Sequence, residues 1–204
     1  MFAVNITPLP GATGRRAGRR IVVAALATAA VAVAACDDPF APRATTPVRI
    51  DSFVVYSVSQ TPIGAPAAFN LLFFTPLRLE PTYGFDWVFD IDASGKVVLI
   101  PVRLVGGAVT SARRTGLQKI SGPYDDVTRA PTAGYFYDST VVLSPTEGAL
   151  VEVTAEGCQY QTSRLVYAKV QIQAVDPVSR QIAFRIAYDP NCGFRSFLPG
   201  IPTN

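Results

Sequence analysis

Histidine is absent from all 204 residues, methionine and tryptophan occur once each, and there are only three cysteines. Each scarcity closes a route. Without imidazole, the Ser-His and Cys-His pairs that activate most protein nucleophiles are excluded. A structural zinc site would have too few ligands, and no cofactor is expected. None of Lys96, Lys119 and Lys169 has a serine three residues before it, so a Ser-x-x-Lys dyad is not supported. Gly106-Gly107 precedes neither Lys-Ser/Thr nor a helical pattern, so no phosphate-binding loop is read there. Long amphipathic helices are also missing. The nearest candidate, 106–120, contains that Gly-Gly pair and several Ser and Thr, and it reads as loop or irregular structure.

What is present is unevenly placed. Arg15, Arg16, Arg19 and Arg20 precede an uncharged run of fifteen residues, Ile21 to Ala35. A bilayer core needs about 20 apolar residues, whereas this length is normal for the apolar part of an export signal. The run closes on Val33-Ala34-Ala35-Cys36: aliphatic, small, small, cysteine. That order resembles the lipobox of bacterial prolipoproteins. The resemblance implies that residues 1–35 are a cleaved signal peptide and that the Cys36 thiol carries a diacylglycerol. It places the mature chain in the cell envelope, anchored to a membrane on its extracytoplasmic side. Two Arg-Arg pairs suggest the twin-arginine route, but no hydrophobic residue follows the first at the usual offset, which favours the general secretory route. Asp37 resembles an inner-membrane retention signal of some didermic bacteria, a rule that does not transfer across phyla.

Cutting at Cys36 changes the charge. Four of the eighteen Lys and Arg lie before it, leaving fourteen against fifteen Asp and Glu, a formal net charge of −1. The apparent basicity of the whole chain therefore gives no support for nucleic-acid binding. With Cys36 assigned to lipid, Cys158 and Cys192 remain, and two thiols in an exported domain most simply form one disulfide. Closing a loop of roughly 35 residues stabilises by about 3–4 kcal/mol in the chain-entropy model.

After Cys36, residues 37–47 (DDPFAPRATTP) hold three prolines and no apolar period. With Cys36 they read as a tether, 36–47, reaching about 30 Å. Residues 48–204 follow as one domain, and their period is two. Phe85, Trp87, Phe89 and Ile91 alternate with Asp86, Val88, Asp90 and Asp92. Val166, Ala168, Val170, Ile172 and Ala174 alternate with Tyr167, Lys169, Gln171 and Gln173, and Ile182, Phe184, Ile186 and Tyr188 with Ala183, Arg185 and Ala187. Further strands are expected near 50–58, 67–74, 97–105, 135–143 and 149–155. Turn signals separate them at 93–96, 145–148 and 176–179. This predicts an all-β fold, a single antiparallel β-sandwich or small barrel of about eight strands. Pairing 160–175 with 181–189 as a hairpin brings Cys158 and Cys192 together at its outer ends.

Three groups of residues invite a chemical reading. Asp90-Ile91-Asp92-Ala93-Ser94-Gly95 resembles the opening of a calcium loop, but its twelfth position is Pro101 rather than Glu, and a hairpin turn is the better reading. Asp90 and Asp92 have a spacing that suits a glycosidase pair, as do most polar strand faces. Exposed aromatics can bind sugars or proteins: Trp87, Tyr135 and Tyr137 are the candidates, while Phe194 and Phe197 are expected to pack over the disulfide. The leading expectation is a non-enzymatic binding or structural envelope module, partnered by the membrane through Cys36 and by an envelope protein or polysaccharide. A carbohydrate- or ligand-binding accessory domain using those aromatics is the alternative, and it fails for Trp87 if that ring is buried. A carboxylate hydrolase is the third, and it needs two close acids in a pocket.

Overall fold

The computed structural model describes residues 41–80, 84–105, 113–161 and 163–203; Cys36 and the signal segment lie outside them. Ten strands form two antiparallel five-stranded sheets. The first comprises β1 (Arg49–Tyr56), β10 (Gln181–Asp189), β9 (Leu165–Asp176), β8 (Gly148–Thr154) and β6 (Thr115–Lys119), in that order across the sheet. The second runs β3 (Thr75–Arg78), β2 (Pro66–Asn70), β4 (Trp87–Ile91), β5 (Val97–Pro101) and β7 (Val141–Leu143). Neither sheet closes on itself, so the fold is a sandwich and not a barrel.

Period-two alternation fills the space between the sheets. Phe69, Trp87 and Phe89 from one side meet Phe184, Ile186 and Val55 from the other, all fully buried. Phe69 stacks on Trp87 at 5.1 Å and Phe89 on Phe184 at 4.8 Å, with Phe69 edge-on to Phe184 at 5.5 Å. Each such side chain removed from water contributes on the order of 2–3 kcal/mol.

Where the strand count exceeds eight, local chemistry explains it. The stretch 67–74 is not one strand: β2 ends at Asn70, whose side-chain oxygen accepts from the Phe73 amide at 2.9 Å, and the chain turns back into β3. Asn performs this turn readily, and Phe74 completes it with φ +55°. The segment expected to be irregular contains β6, because Thr115 and Leu117 bury their side chains while Gly116 lies under tyrosines. Residues 135–143 split: Phe136 exchanges backbone bonds of 2.9 Å with Leu117 at the free edge of β6, and only β7 pairs in the other sheet. The 97–105 stretch ends as β5 and a 3-10 turn at Val102–Leu104.

In β9 the alternation slips. Ala183 pairs with Ala174 but Phe184 with Ile172, leaving Gln173 as an extra residue. A bulge of this kind shifts every following side chain by one. Ala174, expected on the apolar face, is exposed, and Val175 packs against the core instead.

The predicted disulfide is present. Cys158, in a 3-10 turn after β8, bonds Cys192, just beyond β10, with their Cα atoms 5.6 Å apart. Beside it, the Asn191 side chain accepts from the amides of Thr45 and Thr46 at 2.9 and 3.0 Å and donates to the Thr46 carbonyl at 2.8 Å. Asp189, fully buried, fixes Asn191 in turn. The end of the proposed tether is therefore docked from Thr45 onward, because its free backbone groups find a side-chain amide of matching geometry.

Candidate functional site

The aromatic candidates part company. Trp87 is fully buried between the sheets, which corrects its assignment as an exposed ligand contact: on β4 it shares the inward face with Phe89 and Ile91. Tyr135 and Tyr137 are half-buried, and Phe136 between them is the ring that points out, with 59% exposure. Both tyrosines lie across β6, where a Cβ on Gly116 would fall 2.8 Å from the Tyr135 Cβ. The Tyr137 hydroxyl donates to Glu152, a buried carboxylate of β8. Burial and that hydrogen bond push the Tyr137 hydroxyl up to about 12. Arg114 lies over its ring at 4.5 Å.

Asp86, Asp90 and Asp92, the acids of the β4 stretch, are separated in role. Asp92 accepts from the Ser94 hydroxyl and from the amides of Ser94 and Lys96 at 2.7–2.9 Å, the hydrogen-bonding of a hairpin turn. Those bonds hold its carboxyl below the usual range. Asp90 accepts from Ser57, Ser59 and Arg180; burial pushes its carboxyl up, but the bonds from Ser57, Ser59 and the Ile91 amide outweigh it and leave it lowered. Asp86 is fully buried, with the Leu71 amide at 2.6 Å and the Arg113 guanidinium at 3.8 Å. Burial raises its carboxyl to about 6 against those two opposing contacts. Among the described residues, no cluster of three or more metal-ligating side chains occurs.

The constellation that sequence reasoning misses lies on the outer face of the first sheet. Tyr167 and Lys169 alternate with core residues and read as solvent-facing, yet both are buried. Residues 120–135 and the tail around Phe197 form a second apolar layer over them, with Ile120, Tyr124, Ala130, Leu150 and Ala187. Lys169 Nζ donates to the carbonyls of Tyr124 and Val127 at 3.0 and 2.9 Å and lies 4.1 Å from the Tyr124 ring centroid. Carbonyl dipoles and a ring face meet its charge in place of a carboxylate; burial lowers its affinity for the proton. Arg185 crosses the same ring at 4.3 Å and grips Asp125 with two bonds of 2.8 and 2.9 Å. The available signal was composition: 120–137 and 194–201 carry six aromatic rings, many for loops that face only water.

A cavity of about 230 Å³ opens beside this layer, lined by Lys169, Arg185, Asp125, Phe197, Ile50 and Leu198 among others. That is below the roughly 300–1,000 Å³ of sites enclosing drug-sized ligands, so it suits a small group such as a headgroup or single side chain. Its lining combines Lys169 and the Arg185–Asp125 pair with apolar Ile50, Phe197 and Leu198. Compared with known protein families, with curated proteins and with solved structures, the chain finds no match.

Proposed function

We propose that this chain is an exported lipoprotein whose β-sandwich is a non-enzymatic binding or structural module of the cell envelope, held at a membrane by lipid on Cys36. The observation that carries the reading is the division of the three cysteines: two form the Cys158–Cys192 disulfide, a bond that persists in oxidising compartments outside the cytosol. The third closes the Val33-Ala34-Ala35-Cys36 lipobox.

The placement of the acids favours a module over a hydrolase. Asp90 and Asp92 serve a clasp and a turn, and the buried carboxylates Asp86 and Glu152 face an arginine and a tyrosine rather than each other. With Trp87 buried, an aromatic sugar platform loses its largest ring. The outer-face cavity, with Lys169 and Arg185, is the better candidate for engaging an envelope partner.

Metabolic labelling with a palmitate analogue tests the anchor. The wild-type chain takes up label and Cys36→Ala does not; an unlabelled wild type overturns the reading. A pull-down from intact envelope, comparing wild type with Lys169→Met, tests whether the outer face selects a partner.

A further inference from the structure

We propose that the end of the sandwich at which Thr45 docks is a phospholipid-binding surface, with arginines for the lipid phosphates and exposed rings for the interface; the inference rests on acylation of Cys36. Strand register defines that end. Arg49 pairs with Tyr188 and Thr154 with Leu165, so β1 and β9 start there while β8 and β10 finish there. The Phe74–Tyr188 stack and the Asp86–Arg113 pair join the corresponding end of the second sheet to it. The β2–β3 turn, the 3-10 turn after β5, the disulfide and the docked Thr45 therefore share one end. The Arg180–Asp90 clasp closes the other.

Charge is divided between the two ends. At the Thr45 end, Arg43, Arg49, Arg103, Arg114, Arg129 and Arg164 are exposed, against exposed Asp51, Asp138 and Glu156, an excess of three positive charges. Arg113 and Arg195 at this end are matched by the buried Asp86 and Asp189. Counting also Asp37 and Asp38, which precede Thr45 in the chain, still leaves +1. At the clasp end, Arg78, Lys96, Lys119 and Arg180 meet Glu80, Asp90, Asp92, Glu147 and Asp176, a net −1. Every cation of the Thr45 end is an arginine; Lys96 and Lys119 lie at the clasp end and Lys169 under the cover layer. A guanidinium grips phosphate through paired N–H donors, which an ammonium does not offer.

Exposed apolar side chains accompany those arginines. Phe73, at the tip of the β2–β3 turn, and Tyr160, just past the disulfide turn, are 74% and 90% exposed, and Leu104 and Ile201 are open as well. Rings set among cations suit an anionic lipid interface. The clasp end exposes Ile63 and Val178, but beside a negative excess, so charge selects the Thr45 end.

Chain length agrees with that choice. Thr45 lies nine positions after Cys36, a reach of at most about 30 Å. From Arg49, β1 then carries the chain about 24 Å towards the clasp end. An acylated Cys36 therefore keeps the arginine end the nearer of the two to the bilayer.

The test uses the purified acylated protein on vesicles of phosphatidylethanolamine with phosphatidylglycerol, or of phosphatidylcholine alone, each brominated on its acyl chains. Flotation reads the anchor. Phe73→Trp and Ile63→Trp place a ring at either end, over a constant Trp87 background. Bromine should quench the Phe73→Trp emission about fivefold more on the anionic vesicles than on the neutral ones, and should leave Ile63→Trp unchanged. Adding Arg103→Glu and Arg164→Glu should abolish that difference without altering flotation. A chain that does not float overturns the anchor and this surface with it. A chain that floats with equal quenching on both vesicles, or with quenching indifferent to the two reversals, overturns the surface alone. Quenching at Ile63→Trp instead overturns it in favour of the opposite end. A Phe73→Trp ring shielded from iodide yet untouched by bromine overturns it in favour of a protein or polysaccharide.

Discussion

Arg180 and Asp90 lie 90 residues apart in sequence and meet at 3.3 Å, joining the β9–β10 turn of one sheet to β4 of the other. The same guanidinium nitrogen donates to the Ser57 hydroxyl at 2.7 Å and to the Ile91 carbonyl at 2.9 Å. Ser57, fully buried, donates to Asp90. Four groups from three strand ends thus close one end of the sandwich. Asp90→Ala and Arg180→Ala should each cost about 1.5–3 kcal/mol, the range for hydrogen bonds to charged groups. Because they share partners, the double variant should cost clearly less than their sum. Urea denaturation of the four proteins in the cycle decides it; simple additivity would show that no coupled clasp exists.

Asp86 makes stability depend on pH in an unusual direction for a carboxylate. Its folded value of about 6 lies above the ordinary 3.8, so the contribution is fully present below the unfolded value and is lost as pH rises through 6. The difference corresponds to about 3 kcal/mol. Between pH 4 and 7, wild type should lose roughly that much stability relative to Asp86→Asn, which cannot ionise. Parallel stability curves for the two proteins would sink the assignment.

The disulfide closes a separation of 34 residues, worth about 3–4 kcal/mol in the loop-entropy model. Replacing both Cys158 and Cys192 with Ala should lower unfolding free energy by that order. Amide exchange at Thr45 and Thr46 should accelerate as well, since Asn191 adjoins Cys192. A variant as stable as wild type, with those amides equally protected, contradicts both statements.

Trp87 is the only tryptophan, so intrinsic fluorescence reports on it alone. Its emission should be blue-shifted and insensitive to iodide in the folded protein, and quenchable in denaturant. Polysaccharides should leave the spectrum unchanged. Trp87→Ala should destabilise by about 3–5 kcal/mol through loss of a large buried ring. Strong quenching in the native state would return Trp87 to the surface.

Lys169 holds the cover layer through the carbonyls of Tyr124 and Val127. Lys169→Met keeps the stem and removes the donors, leaving the Tyr124 carbonyl with only the Val127 amide and the Val127 carbonyl without its lysine donor, at a cost of about 1–3 kcal/mol. Exchange in 120–130 should rise more than exchange in β4. Uniform acceleration across both sheets would mean that the lysine supports the whole fold instead of this layer.

Much of the fold was legible from period alone. Phe85 to Ile91, Val166 to Ile172 and Ile182 to Tyr188 declare strands because a half-covered sheet needs every second side chain apolar. The Cys158–Cys192 pairing was legible too, since hairpin partners bring their outer ends together. The turn at Asn70 was hidden inside Leu71-Leu72-Phe73-Phe74, a run whose residue types all suit a strand. The Gln173 bulge left no mark in composition. The candidate site was the least visible, because Tyr167, Lys169 and Arg185 occupy the positions that period two assigns to the far side of the sheet.

From sequence alone, then, come the lipobox reading of Cys36, the partition of the other two cysteines, the near-neutral mature charge and the alternation that builds two sheets. All of these are local patterns or counts, set by spacing along the chain. Only the tertiary structure decided that Trp87 is enclosed, that Thr45 is docked, and that Lys169 is roofed by Tyr124 and Phe197 while Ile50 and Val54 are left open. Alternation states which side of a strand a residue takes. Whether that side meets water, a second sheet or a folded-back loop depends on contacts between segments 40 to 150 residues apart, which no local period encodes.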